Sequence, residues 1–419
     1  MTFQDEPAVA PPSGGIQFSG RPRDYWRILI RGAVLLMCTL GISRFWLTTD
    51  VRRFLWSNTA IAGDGLEYTG TPLELLVGFL VAIVILIPLY TAFFVAALDL
   101  GPIGEVSGLI AFASIGVIGQ YAIYRARRYR LSRTVFRGLR FHQEGSAWPY
   151  AFRASAWWVA TVLTLGLTYP FQLASLERFK MRHTYYGDLP GHFAGSGARL
   201  FLRGLLMWFL VMAPLLLAAG AFIDTVDWNA LGEALDQEGG DVMTRIEGGN
   251  PGLADVIVFA MLMGGVTVTA AAALYPAFQA MILRWWSSGL RFGGIEMRSR
   301  LRTWQVYGAY MRFLRAALLF VVVAGIGAVP AFWLAGMASE ADGIAAEIVS
   351  IGLLLAGYVI VALGFSTIYR ATVMLSLWQL SMESLQLSGI SALEGVRATG
   401  RPSSALGEGL ADALNVGGF

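Results

Sequence analysis

The sequence is poor in the residues on which most site chemistry depends. It has one cysteine, Cys38, which excludes an intrachain disulfide and any cysteine-based metal centre. Cys38 lies in an apolar run and reads as a small buried hydrophobe. Three histidines, His142, His183 and His192, bring no carboxylate or cysteine at ligand spacing, so no metal site or cofactor is expected. No phosphate-cradling P-loop is present. Gly63-Asp64-Gly65 reads as a turn, and Ser146 beside His142 is no more than proximity in a polar loop. No catalytic constellation emerges, and a role other than enzyme is expected. Charge is scarce too: 14% of residues are charged, where soluble chains carry about a quarter. Lys180 is the single lysine, so arginine carries nearly all the positive charge. Residues 1–15 are polar, contain Pro and Gly, and show no signal-peptide pattern; they are expected to be disordered.

What is abundant is apolar residue, 56% of 419, with a mean hydropathy of +0.59. A span needs about 20 apolar residues. Six stretches qualify, 73–98, 103–124, 199–223, 253–283, 313–337 and 345–375. Two further runs, 28–47 and 154–173, are less clear. Arg31 and Arg44 leave the first with too short an uncharged centre to cross.

Loop charge tests this assignment through the positive-inside rule. Eight arginines fall in 125–153, five basic residues in 174–203 and seven arginines in 284–315; all three stretches read as cytoplasmic. The 224–247 connection carries seven carboxylates against Arg245 and reads as periplasmic, as do the turns at 99–105 and 339–347. A crossing 154–173 segment would place two basic stretches on opposite faces. The favoured reading is an all-α polytopic membrane protein with six full spans, two re-entrant or interfacial helical hairpins and both termini cytoplasmic. Eight spans with a local violation of the charge rule is the alternative.

Self-similarity supports this organisation. At an offset of 125 residues, Thr39-Leu40-Gly41 matches Thr164-Leu165-Gly166, Arg53-Phe54 matches Arg178-Phe179, and Thr59 matches Thr184. Arg128-Tyr129 and Arg284-Trp285 begin weaker copies, and Trp378 with Ser388-Gly389 a decayed one. Each Arg-aromatic pair is followed by alternating residues such as Gly65-Leu66-Glu67-Tyr68-Thr69-Gly70, a pattern that favours short β-like connections on the cytoplasmic face. The expected layout is three helix-pair units about a pseudo-threefold axis: 16–124, 125–283 and 284–380, with 381–419 a cytoplasmic C-terminal tail.

Charges beside apolar segments are the best functional candidates, because charge within a bilayer is costly. Arg31, Arg44, Arg52, Arg53, Arg128, Arg178, Arg284 and Arg370 are candidate contacts for anions or anionic lipid headgroups; snorkelling to the interface is the plainer reading. Pro88, Pro214, Pro276 and Pro330 are candidate helix kinks.

The run Phe18-Ser19-Gly20, Tyr25-Trp26, Thr39-Leu40-Gly41, Phe45-Trp46, Arg52-Arg53-Phe54, Asn58-Thr59 and Tyr68-Thr69-Gly70-Thr71, with the closing Gly409-Leu410-Ala411-Asp412-Ala413-Leu414, resembles the YjgN family. The second unit departs from it, with Tyr169-Pro170-Phe171 in place of Arg44-Phe45-Trp46. The resemblance implies a bacterial inner-membrane location and no established activity. Two roles follow as expectations. One is transport or handling of a small solute or lipid between the repeat units. The other is a scaffold binding anionic lipid or a partner protein through the Arg/aromatic face. Membrane lipids, anionic headgroups above all, are the expected partners, with a protein partner or a homo-oligomer as further candidates and nucleic acid not expected.

Overall fold

The computed structural model describes residues 15–99, 102–236, 246, 248–339, 344–393, 395–399 and 402–416. The N-terminal segment up to residue 14, expected to be disordered, lies outside the described residues, as do most of 237–247 and parts of the 99–105 and 339–347 turns. By internal contacts the chain divides into two compact units: 1–197 with 283–419, and 198–282.

The first unit opens with strand β1 (Ile16–Phe18) and a helical hairpin, α1 (Pro22–Cys38) and α2 (Arg44–Ser57). Strands β2 (Thr59–Ile61) and β3 (Asp64–Tyr68) lead to two long helices, α3 (Pro72–Asp99) and α4 (Pro102–Arg133). The pattern recurs as β4 (Thr134–Phe136), β5 (Leu139–Gln143), the hairpin α5 (Trp148–Leu163) and α6 (Tyr169–Arg182), then β6 (Thr184–Tyr186) and β7 (Leu189–Phe193). The second unit holds most of α7 (Gly197–Thr225) and α9 (Leu253–Gly289), with α8 (Trp228–Asp236) between them. Asp227 caps α8, its Oδ1 accepting from the Asn229 and Ala230 amides at 3.0 and 3.2 Å. The first unit resumes with β8 (Leu290–Phe292), β9 (Ile295–Ser299) and α10 (Thr303–Ser339). Helix α11 (Ile344–Tyr369) continues through a π-helical turn, Arg370–Met374, into α12 (Leu375–Glu383). Strand β10 (Leu385–Ser388) and α13 (Leu406–Ala413) close the chain.

Among the described residues six helices are long and apolar enough to cross a bilayer, and each of the six expected spans overlaps one of them. Their surfaces are apolar and outward-facing: Leu355 is 60% and Tyr358 73% exposed. Apolar area on that scale belongs in lipid rather than water, and the chain is a multi-pass membrane protein.

The two hairpins are not among those six helices. The Thr-Leu-Gly motifs explain their turns. Thr39 Oγ1 donates to the Leu35 carbonyl at 2.7 Å and accepts from the Ser43 amide at 3.0 Å. Thr164 does the same with the Ala160 carbonyl at 2.7 Å and the Thr168 amide at 3.3 Å. Leu-Gly then reverses the chain with φ of 49° and 90° at Leu40-Gly41, and 50° and 89° at Leu165-Gly166. Glycine is the residue suited to the second position. Leu40 at the first tip is 95% exposed, as an apolar tip dipping into lipid would be.

The expectation of an all-α fold is corrected here. The short connections do not stay separate: the ten strands among the described residues form one antiparallel sheet in the order β1 to β10. A bridge between Gly15 and Gln386 links its two edges, so the sheet is nearly a barrel. Each of the four internal hairpins pairs a three-residue strand with a five-residue strand across a two-residue turn. Ala62-Gly63 and Arg137-Gly138 turn with both φ positive, the geometry that matches strand twist in tight hairpins. Near-closure removes the exposed edges that would otherwise recruit other strands. Phe136, Phe141, Tyr186, Phe292, Ile295 and Met297 line a small interior cavity of about 70 Å³. The near-barrel is a packed core and not a pore.

Both helical hairpins start and finish on this sheet, and in chain order each of the six spans joins a strand at one end. The basic stretches 125–153, 174–203 and 284–315 all contain strands and so share the sheet end.

Candidate functional site

The Arg-aromatic joints have a structural task. Arg53 donates to the Gly70 carbonyl at 3.0 Å, Arg178 to the Gly195 carbonyl at 3.0 Å, and Arg284 to the Leu301 carbonyl at 3.3 Å, each 17 residues along the chain. Arg128 Nε donates to the Gln143 carbonyl at 2.5 Å. Each arginine thus ties the end of a helix to the backbone just beyond, or at the end of, the β-hairpin that follows. The aromatic partner packs beside it: Phe54 lies tilted against Tyr25 with ring centroids 5.2 Å apart, and Phe179 lies 5.9 Å from Tyr124. Trp56 and Trp378 donate to threonines at strand starts, Thr134 at 3.0 Å and Thr59 at 3.1 Å.

The remaining candidates separate. Arg31 pairs with Asp50 at 2.5 Å at the foot of an open groove between α1 and α2. The other three converge with the C-terminal helix. Helix α13 packs against α3 and α4, where Leu410 and Ala411 meet Ala82, Leu86, Ala122 and Ala126. Glycine makes the approach possible: a Cβ on Gly409 would overlap the Gly78 backbone, and one on Gly407 would overlap Arg125. Along one face of α13, Glu408 and Asp412 sit one turn apart. Glu408 pairs with Arg52 and, at 3.8 Å, with Arg130; Asp412 pairs with Arg44 at 2.6 Å.

A cavity of about 290 Å³ opens beside this cluster, lined in part by Thr48, Arg52, Arg370, Glu408, Asp412 and Asn415. Arg52 is 2% exposed and also donates to the Tyr68 hydroxyl at 3.1 Å. Burial disfavours its charge, but Glu408 and Tyr68 outweigh that cost and raise its pKa, so the guanidinium stays protonated. Two buried atoms on this wall, Arg52 Nε and Glu408 Oε2, have no hydrogen-bond partner among the described residues. Burial raises the Asp412 carboxyl against the opposing pull of Arg44. Arg370 begins the π-helical turn, a local widening often found at functional positions. No described carboxylate comes within ion-pair reach of Arg370. The nearby Tyr25 is fully buried with an unpartnered hydroxyl, and burial, opposed by Arg370, pushes its pKa up to about 12.

Glu408 did not stand out in the sequence. Its signal was the pair of carboxylates four residues apart in an otherwise Gly/Ala/Leu segment, which places both on one helix face. Pro88, Pro214, Pro276 and Pro330 all lie inside continuous helices. Among the described residues no cluster of His, Cys, Asp and Glu is arranged to hold a metal ion.

No curated protein and no solved structure matches the chain. A bacterial family does, over residues 13–413, a stretch that takes in both helical hairpins, the whole ten-stranded sheet and the C-terminal helix with Glu408 and Asp412. The chain belongs to the family described as bacterial protein of unknown function (DUF898).

Proposed function

We propose that this is an inner-membrane protein that binds and handles a small anionic solute or a lipid headgroup in the cavity beside Arg52 and Arg370, with its sheet and both termini in the cytoplasm. The observation that carries the reading is the charge of that cavity. Its lining holds Arg52 and Arg370 with Glu408 and Asp412; Glu408 is paired with Arg52 and Asp412 with Arg44, which leaves Arg370 on the wall with no described carboxylate in ion-pair reach. An anion is the complementary occupant, and a cavity of about 290 Å³ has room for a headgroup-sized one. The path to it runs between helices, since the near-barrel interior is filled. The recurring hairpins and the arginine-to-carbonyl contacts 17 residues apart support an origin by internal repetition, with units at 16–124, 125–283 and 284–380, and the YjgN likeness fits the same picture.

Reconstitution tests this. Wild-type proteoliposomes should take up inorganic phosphate or move phosphatidylglycerol between leaflets, and Arg370→Ala should abolish that movement. Movement of neither substrate by the wild type would sink the handling reading.

A scaffold reading has its own support in Arg298, Arg300 and Arg302, exposed cations at the sheet end. Each is worth about 1 kcal/mol near an anionic surface. Vesicle binding that is lost on neutralising these three, with solute movement absent, would favour it.

A further inference from the structure

We infer that the C-terminal helix is a tethered anionic plug: Glu408 and Asp412 occupy the arginine cluster in place of the anion, and ligand and helix compete for it. This rests on the proposed anion site and concerns its regulation.

Three observations carry it. The first is where the counter-charge comes from. Arg52 is neutralised by a residue 356 positions away on a separate short helix. The matching buried charge of the second helical hairpin, Glu177, is instead neutralised by Lys180 of its own helix, with Arg127 adding to the attraction. The fold can therefore satisfy a buried charge at this position locally, and at the first hairpin it does not.

The second is how α13 is held. It has eight residues and no side-chain N-cap, below the length at which an isolated helix persists in water. Its apolar contacts are mostly with alanines, and its crossings of α3 and α4 run through glycines. Its ion pairs add to a close packing against α3 and α4, and the ion pairs are the part that an anionic competitor replaces. Residues 395–399 and 402–404 before it form no helix or strand; they are held at Arg397, whose amide donates to Asp188 Oδ1 at 3.0 Å, and at Ser403, whose amide donates to Ser132 Oγ at 3.3 Å.

The third is the wall itself. Arg52 Nε is buried without a hydrogen-bond partner, so the carboxylate does not saturate the arginine. A tetrahedral oxyanion fits the same guanidinium fork and brings further acceptor oxygens. The shared ligand chemistry is a phosphate group, free or as a lipid headgroup.

The experiment uses the full chain with Cys38→Ala and Ala411→Cys, since Cys38 is exposed and Ala411 is 1% exposed. Maleimide labelling of position 411 is followed in nanodiscs of neutral lipid, in neutral nanodiscs with inorganic phosphate, and in phosphatidylglycerol nanodiscs. Labelling should be slow in the first and about tenfold faster in at least one of the others, a one-decade shift corresponding to a modest change in helix occupancy. The responding arm identifies free phosphate or lipid as the source. Asp412→Asn, and Glu408→Gln if it folds, should speed labelling without any anion and tighten phosphate or phosphatidylglycerol binding about tenfold. Anion binding by the wild type with labelling unmoved by anion and by Asp412→Asn would overturn the plug and leave the anion site standing. Anion binding to neither wild type nor variants would overturn the anion site and the competition together.

Discussion

Arg52 and Glu177 hold the same place in the two helical hairpins, 125 residues apart, each just before the arginine that ties its helix to a carbonyl 17 residues on. Both are buried and their charges are opposite. Arg52 takes its partner from the C-terminal helix, while Glu177 pairs with Lys180 and accepts from Trp286 Nε1 at 3.2 Å.

Breaking the first pair should cost far more than replacing it. Arg52→Met alone is expected to destabilise by about 3 kcal/mol, because Glu408 is left buried with only the more distant Arg130 beside it, whereas Arg52→Met with Glu408→Leu should recover part of that loss. Thermal unfolding of the four variants of the cycle in detergent measures it. A loss in the double variant equal to the sum of the two single losses would show that the pair is not coupled.

The second pair sets an acid limit. Burial alone would raise the Glu177 carboxyl, but Lys180 and Arg127 attract it more strongly, and hydrogen bonds from Lys180 and Trp286 add to this, so its pKa is lowered. Tyr150, the other titratable neighbour, is raised by burial and stays neutral across this range. A depressed carboxylate contributes stability above its ordinary pKa of 4.5 that is lost as pH falls through the lower folded value. Wild-type melting temperature should therefore drop on acidification below about pH 4.5 through this group. Glu177→Gln should melt lower at neutral pH and lose less on acidification. A parallel acid limb in the variant would contradict the assignment.

The joints distinguish structure from lipid contact. Arg53→Ala, Arg178→Ala and Arg284→Ala each lose a charged hydrogen bond to a backbone carbonyl, worth about 1.5–3 kcal/mol. Melting temperature should fall for each in detergent without added lipid. Unchanged melting with weakened lipid retention would return these residues to the headgroup-contact role.

Much of this architecture was legible in the sequence and some was not, for physical reasons. The six spans were visible because a bilayer demands length and apolarity together, both local properties. The Thr-Leu-Gly turns were visible because a left-handed reversal narrows the choice of residue, and the shared offset exposed both at once. The near-barrel was hidden. Its strands are three to five residues long, too short for period-two alternation to register, and β3 meets β4 only after two spans intervene. Its closure joins Gly15 to Gln386 across nearly the whole chain. The candidate site was half visible. Arg44, Arg52 and Arg370 stood out as charges beside apolar runs, but nothing local connects them to Glu408 and Asp412, which sit in what reads as a C-terminal tail.

Sidedness follows from the sheet. Positions 64 and 188 both lie at β-hairpins of the one sheet. In a Cys38→Ala background, Asp64→Cys and Asp188→Cys should both react with an impermeant maleimide from the cytoplasmic side only. Reaction from opposite sides would require α5–α6 to cross the membrane, and would refute the six-span arrangement.

The most direct test of the central claim is equilibrium binding of inorganic phosphate and of phosphatidylglycerol to purified protein in neutral nanodiscs, wild type against Arg370→Ala and Arg370→Lys. The cavity account predicts saturable binding of at least one of the two to the wild type. It predicts a loss of roughly tenfold or more in Arg370→Ala, the scale of one charged hydrogen bond, and partial retention in Arg370→Lys. Binding of equal strength in all three proteins, or none in the wild type, would contradict it.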